Sequence, residues 1–78
     1  MALDPLKQFG QRLSQLRKTK GWSQERLALE SGIARSYLGG VERGQRNITL
    51  INIVRLATTL EVAPSKLLEP PDELAGSN

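Results

Sequence analysis

The segment of residues 23–44, SQERLALESGIARSYLGGVERG, most constrains the fold, because it predicts two short helices separated by a glycine turn. Ser23 is a favoured residue immediately before a helix, and Gly32 suits the left-handed position that follows one. The second helix is predicted at Arg35–Arg43, with Gly44 at its end. The apolar side chains expected to face inward are Leu27 and Ala28 in the first of these helices and Leu38 and Val41 in the second.

Three more helices are predicted on either side of this pair. Asp4 and Pro5 favour a helix start, and apolar residues follow at helical spacing up to Leu16. Thr49 caps a fourth helix, LINIVRLATTL, and Pro64 begins a short fifth helix, PSKLL. The sequence contains neither a strand pattern nor an internal repeat, so the predicted fold is all-α with five short helices. The expected core comprises Leu13, Leu16, Leu27, Leu38, Val41, Ile53, Leu56 and Leu60.

Length and composition limit the domain organisation and the chemistry. The chain has 78 residues, enough for one small domain, which we assign to residues 1–69. Residues 70–78 hold paired prolines, acidic residues and small residues, and a frayed tail is predicted there. The chain has no cysteine and no histidine, so it lacks thiolate ligands and the commonest general base. We therefore expect no enzyme activity, no metal site and no cofactor.

No part of the sequence has the pattern of a targeting or membrane segment. The N-terminus, MALDPLKQFG, has no long apolar run, and no stretch approaches the roughly 20 apolar residues that span a bilayer. A cytoplasmic protein without a membrane partner is expected.

The distribution of charge suits a polyanionic partner. Residues 1–60 carry 10 basic and 4 acidic side chains, whereas residues 61–78 carry 1 basic and 4 acidic ones. A basic body with an acidic tail is compatible with nucleic acid binding. The alternative is a solvated, mildly basic surface, and charge by itself favours that alternative.

The sequence resembles the lambda-repressor and Cro-like helix-turn-helix family, also called the XRE family. The matching elements are SQERLA, the turn SGIA, the helix SYLGGVERG and the following ITLINIVRLATTLEV, and the resemblance covers roughly residues 6–68. Within that family, the stretch RSYLGGVERGQRNITL looks similar to the small controller proteins of restriction–modification systems. The resemblance implies a lambda-repressor-like DNA-binding domain and a transcriptional regulator.

In that family the third helix lies in the major groove of DNA, and its N-terminal residues contact base edges. The matching positions are Arg35 and Ser36, and an arginine can form a bidentate contact with guanine worth about 1–3 kcal/mol of discrimination. The family also places phosphate contacts at the start of the second helix and around the third. The DNA-binding residues predicted in this way are Ser23, Gln24, Arg35, Ser36, Tyr37, Gly39, Gly40, Arg43, Arg46 and Asn47.

Gly39 and Gly40 are unexpected inside a helix, because each glycine lowers helix stability by about 1 kcal/mol relative to alanine. Two explanations are open. The bare backbone could approach DNA closely, or a neighbouring long side chain could occupy the space. Arg46 is long enough for either a phosphate or a base edge. We expect direct base contacts from Arg35 and Arg46, with DNA shape supplying further specificity.

Three other residues have structural interpretations beside functional ones. The resemblance implies that Glu42 pairs with Arg17 of the first helix, which would fix helix orientation and gives the acid no catalytic role. Trp22 is expected to cover the core rather than to stack on bases. For Tyr37 two contributions remain open, a ring at the edge of the core and a hydroxyl on a phosphate.

The fourth helix has more apolar residues than one buried face needs. The residues beside or outside that face are Leu50, Ile51 and Val54. An exposed apolar strip usually marks an interface, and the resemblance implies a homodimer. The alternative is that these residues pack under the fifth helix, against Leu67 and Leu68. A twofold dimer would present two recognition helices about 34 Å apart to a palindromic operator.

The favoured function is a homodimeric, sequence-specific regulator that binds double-stranded DNA. It would repress, or at some sites activate by touching RNA polymerase. One alternative keeps the fold but makes the protein an antitoxin-type regulator that also binds a toxin protein. Another is a protein-interaction adaptor, which would not require a cationic third helix. No ligand-sensing domain is evident, so we expect control through protein concentration and dimerisation.

Overall fold

The computed structural model describes residues 4–72, and these residues form five helices and no strand. The helices are α1 (Pro5–Thr19), α2 (Gln24–Ser31), α3 (Arg35–Glu42), α4 (Leu50–Leu60) and α5 (Pro64–Leu67). The predicted all-α fold is confirmed. None of the five helices is both long enough and apolar enough to cross a membrane.

Three of the helix starts follow the predicted capping. The side chains of Asp4, Ser23 and Thr49 each accept a backbone hydrogen bond from the first turn of α1, α2 and α4, at 3.0, 3.0 and 3.1 Å. α3 begins after Ala34, whose methyl side chain has no acceptor. The start of α3 is therefore held by packing, since Leu38 is fully buried in the core.

Two helices end at residues in the left-handed conformation. α2 ends at Gly32, with φ of 72°, as predicted. α4 ends at Glu61, with φ of 61°, which is the one positive φ of a non-glycine residue within residues 4–72. A side chain costs energy in this conformation, so the sequence did not indicate Glu61 as a helix terminus. Its carboxylate lies 3.1 Å from Lys20 Nζ at the end of α1.

The core contains most of the predicted residues and several others. The buried apolar side chains are Phe9, Leu13, Leu27, Ile33, Leu38, Val41, Leu56, Ala57, Leu60 and Leu67. Leu16 and Ile53, which the sequence also placed in the core, are only half-buried and pack against its outside. Leu67 is fully buried because α5 packs on both α1 and α4.

α1 and α3 cross closely at Gly10, a residue that the sequence analysis did not single out. A Cβ atom built on Gly10 would clash with the backbone carbonyl oxygens of Val41 and Glu42. Only glycine therefore allows this crossing. The contact brings the C-terminal end of α3 against the N-terminal half of α1.

The C-terminal segment is attached to α1 by polar side chains. Arg12 Nε donates a hydrogen bond to the carbonyl oxygen of Lys66 at 2.8 Å. The Gln15 side chain bonds both the N–H and the carbonyl oxygen of Asp72, at 2.8 and 2.7 Å. The attached chain thus extends past the predicted domain boundary at residue 69. Residues 73–78 lie outside the described residues, and the tail there stays a prediction.

Candidate nucleic-acid interface

A buried ion pair joins α1 to α3. Arg17 donates two hydrogen bonds to the Glu42 carboxylate, from Nε at 2.7 Å and from Nη2 at 2.9 Å. Arg17 Nη1 also donates to the carbonyl oxygen of Trp22 at 2.8 Å. The side chains of Arg17 and Glu42 are only 10% and 6% exposed. The predicted pair is confirmed as a bidentate, buried contact.

This pair removes an obstacle to binding an anion at α3. Glu42 is the only acidic residue of α3, and an unpaired carboxylate there would repel phosphate. The hydrogen bond to Glu42 raises the pKa of Arg17 above its ordinary value, although burial acts in the opposite direction. Arg17 therefore remains protonated and places a positive charge against the Glu42 side chain.

Gln24 has an internal partner that the sequence did not predict. Its Nε2 donates to Glu42 Oε1 at 2.9 Å, so the amide links the start of α2 to the end of α3. One N–H of the amide is therefore already engaged, and the phosphate contact of Gln24 stays a prediction. Its second N–H can still donate to a phosphate. Ser23, beside it, caps α2 as predicted.

The N-terminal end of α3 presents its polar side chains to solvent. Arg35 and Ser36 are both exposed. Arg35 Nε lies 3.3 Å from Glu25 Oε2 of α2, in a pair whose two side chains are each more than half exposed. Such a pair is worth little and gives way readily to a stronger partner. The Arg35 side chain remains 55% exposed beside this partner.

Gly39 and Gly40 are both buried within α3. A Cβ atom on Gly40 would lie 2.7 Å from Arg46 Cγ, and one on Gly39 would lie 3.2 Å from Arg43 Nη1. Arginine side chains from beyond the helix therefore cover both glycines. Of the two explanations from sequence, the structure matches occupation by a neighbouring side chain, since the bare backbone needed for close approach to DNA is covered.

The turn after α3 is cationic. Arg43 Nε donates to Gln45 Oε1 at 3.1 Å, and both Arg46 and Asn47 are exposed. Lys7 of α1 also lies here, because a Cβ on Gly44 would be 2.5 Å from Lys7 Cγ. Lys7 was not among the predicted site residues, since a lysine in the first turn of α1 carries no sequence signal of proximity to α3.

The two aromatic residues near α2 and α3 are partly explained by packing. Trp22 is half-buried against the core, with Lys20 Nζ and the Arg26 guanidinium each 5.0 Å from the ring centroid. This environment supports the core-covering interpretation of Trp22. Tyr37 is likewise half-buried against the core, which accounts for its ring. The contact of its hydroxyl with phosphate stays a prediction.

α4 exposes the apolar strip formed by Leu50, Ile51 and Val54. Their side chains are 72%, 73% and 45% exposed. The alternative, that these residues pack under α5, is wrong within the described residues. Leu67 is buried in the core, and Leu68, the other proposed partner, is itself 63% exposed.

The fold and this site together define a helix-turn-helix DNA-binding domain. α2 and α3 are joined by a tight turn, and α3 presents the exposed Arg35 on an anchored helix whose acid is paired. Residues 13–67 match the Helix-turn-helix family, and the chain belongs to that family. It is a transcriptional regulator of the helix-turn-helix, or XRE, type. This family is a class of DNA-binding regulators and not a class of enzymes.

Several proteins are similar to this chain. The crystal structure of the restriction-modification controller protein C.AhdI from Aeromonas hydrophila has 61% identity and a TM-score of 0.78, over 80% of this chain and 94% of that one. A hypothetical transcription factor of Neisseria meningitidis serogroup B is 51% identical over 57 residues, which cover 73% of this chain and 54% of that protein. This chain therefore spans about half the length of that relative.

One of the structures similar to this chain was solved in complex with DNA. The controller protein C.Esp1396I, solved as a tetramer in complex with its natural 35 base-pair operator, has 27% identity and a TM-score of 0.72. The similarity extends over 88% of this chain and 100% of that one.

Proposed function

We propose that this regulator acts as a homodimer on a palindromic DNA operator, in the manner of a restriction–modification controller protein. Each subunit places α3 in the major groove, where Arg35 contacts a guanine and Ser36 contacts a base edge or a phosphate. Arg43, Asn47 and the N-terminus of α2 hold the flanking phosphates. The protein works in the cytoplasm, and neither a cofactor nor an enzymatic step takes part.

The observation that carries the proposal is the exposure of Arg35 at the first position of α3. The helix behind it is anchored by the buried pair of Arg17 and Glu42, so the arginine is presented from a rigid element. Its contact with Glu25 is an exposed ion pair, which a stronger partner can displace. The likeness to C.AhdI and to the operator-bound C.Esp1396I supports the same assignment.

The apolar strip on α4 supports the homodimer. Three apolar side chains exposed together on one short helix favour burial against a second copy. A twofold axis then sets two recognition helices about 34 Å apart, which matches one turn of DNA. A bound dimer represses where it overlaps a promoter, and it activates where it lies beside RNA polymerase and touches it.

The test is selection of bound duplexes from a random DNA pool at about 150 mM salt, which suppresses non-specific phosphate binding. We expect the wild-type protein to enrich a palindrome with a fixed guanine in each half-site. Arg35→Ala should lose the preference at that guanine. Arg26→Ala is the matched control, because it removes an exposed arginine from α2 and should leave the selected sequence unchanged.

Two outcomes would contradict the proposal in different ways. If the wild-type protein enriches no sequence, operator recognition is wrong, and the apolar strip becomes the place to search for a toxin or other protein partner. If it enriches a palindrome that Arg35→Ala also selects, the operator is real but Arg35 is not the residue that contacts its guanine.

A further inference from the structure

We propose that Gly40 determines DNA specificity by making room for Arg46, which lies across α3 at this position and contacts a base edge from there. The inference rests on the proposed operator binding. It adds a positioning residue, Gly40, and gives a structural basis for the base contact expected of Arg46, an arginine that lies outside the recognition helix.

The geometry of Gly40 excludes a side chain while Arg46 is in place. A Cβ atom at Gly40 would lie 2.7 Å from Cγ, 3.5 Å from Nε and 3.7 Å from Cδ of Arg46. Non-bonded carbon atoms pack at about 3.5–4.0 Å, so alanine at this position and Arg46 in this conformation are incompatible. The clash is with Cγ, near the base of the side chain, so Arg46 must move away from this position rather than adjust only its flexible end.

The position of Gly40 places Arg46 on the DNA-facing side of α3. Gly40 follows Ser36 by four residues, and residues at this spacing share one face of a helix. Ser36 is exposed at the end of α3 that is proposed to enter the groove. Arg46 thus lies one turn along the same face, although its backbone belongs to the segment after α3.

The guanidinium of Arg46 is suited to a base edge. Within residues 4–72 it makes no ion pair and no hydrogen bond, whereas Arg35 pairs with Glu25 and Arg43 donates to Gln45. Its fork of donors matches the O6 and N7 acceptors of guanine. Because Arg46 Cγ, Cδ and Nε all lie within 4 Å of a Cβ atom at Gly40, the side chain runs beside the face that is proposed to enter the groove.

Gly39 shows that the effect is specific to Gly40. A Cβ atom at Gly39 would lie 3.2 Å from Nη1 of Arg43 and 3.6 Å from Oε1 of Gln24. The nearer of these atoms is the end of a flexible side chain, which can move by a few tenths of an ångström. An alanine at Gly39 therefore fits without displacing a whole side chain.

The experiment compares the wild-type protein with Gly40→Ala, Arg46→Ala and the double variant. Each is used for duplex selection and for titrations against the selected operator with one base pair changed at a time. Arg46→Ala should lose about 10- to 100-fold of preference at one base pair in each half-site. Gly40→Ala should lose preference at the same base pair. The double variant should be no worse than Arg46→Ala, since both changes act on one contact.

Two further variants separate specificity from folding and from simple charge. Glu61→Gly removes the side chain that makes the left-handed conformation after α4 unfavourable. It should therefore raise the Tm and leave base preference unchanged. Gly40→Ala should also keep or raise the Tm, because alanine favours a helix. Arg46→Lys keeps the charge but lacks the fork, so it should lose the preference as well, and this variant tests the base contact even if Gly40→Ala folds poorly.

The outcomes distinguish this inference from the proposed function. If the wild-type protein selects no sequence, both the proposed function and this inference are wrong. If it selects an operator and Gly40→Ala keeps the wild-type preference at every base pair, the inference is wrong. It is also wrong if Arg46→Ala weakens all sequences equally and lowers the salt dependence, because that result assigns Arg46 to a phosphate.

Discussion

Arg17 connects three parts of the molecule through its guanidinium. It bonds Glu42 at the end of α3 and the carbonyl oxygen of Trp22 just before α2, while its backbone belongs to α1. Burying two charges costs desolvation, so an intact pair of this kind adds little net stability over an apolar pair. Removing one partner is different, because the remaining charge is then buried without compensation. The pair therefore acts mainly to fix α3 against α1.

Arg17→Met should lower the free energy of unfolding by about 3–5 kcal/mol, because it leaves the Glu42 carboxylate buried without its counter-ion. Urea denaturation followed by circular dichroism measures this change. The double variant with Glu42→Met should recover much of the loss. Lys18→Met, at the exposed neighbouring position, should alter stability by no more than about 0.5 kcal/mol. A double variant as unstable as Arg17→Met would show that the unpaired charge is not the cause.

At the scale of elements, the placement of α3 depends on how closely α1 approaches it. Gly10 lets the backbone of α1 lie against the carbonyl oxygens of Val41 and Glu42. The same crossing brings Lys7 beside Gly44 in the cationic turn. The orientation of the recognition helix therefore depends on a glycine in another helix.

Gly10→Ala should destabilise the protein by about 1–3 kcal/mol, because the added methyl group forces two packed backbones apart. Intrinsic helix propensity alone would give the opposite sign, a gain of about 1 kcal/mol. Thermal and urea unfolding decide between the two. Gln11→Ala, at the exposed next position of α1, is the matched control and should be close to neutral. An increase in stability for Gly10→Ala would mean that the helices do not cross this closely.

At the scale of the whole molecule, the exposed apolar surface is not evenly distributed. α4 carries the apolar strip, whereas α2 carries a single exposed leucine, Leu29, which is 81% exposed. An isolated exposed leucine is ordinary on a soluble surface, but several together on one helix favour association. The proposed dimer therefore uses α4, and its formation would depend on the concentration of the protein.

Ile51→Lys should shift the protein from dimer to monomer, because a charge would be buried at the centre of the proposed interface. Analytical ultracentrifugation over a range of micromolar concentrations measures the change, and operator affinity should fall with it. Leu29→Lys introduces the same residue at an exposed leucine outside the apolar strip and should leave association unchanged. If Ile51→Lys sediments like the wild-type protein, the strip is not the interface.

The sequence by itself determined the elements and their order. Asp4, Ser23 and Thr49 begin helices because each supplies an acceptor to the backbone N–H groups of the following turn, and Gly32 ends one because it adopts a left-handed conformation freely. These are interactions between residues a few positions apart, so a local pattern encodes them fully. The pairing of Arg17 with Glu42 came from the family resemblance, since no local rule connects residues so far apart in the chain.

Only the tertiary structure decided what lies opposite each residue. In the folded protein Gln24 donates a hydrogen bond to Glu42, and the Arg46 side chain packs against Gly40. The same fold packs α1 against α3 at Gly10. It also left Leu16 and Ile53 half-buried, because helical spacing identifies an apolar face but not how far a neighbouring helix covers it. Each of these contacts depends on the distance and angle between helices, which packing of the complete core sets and no single segment contains.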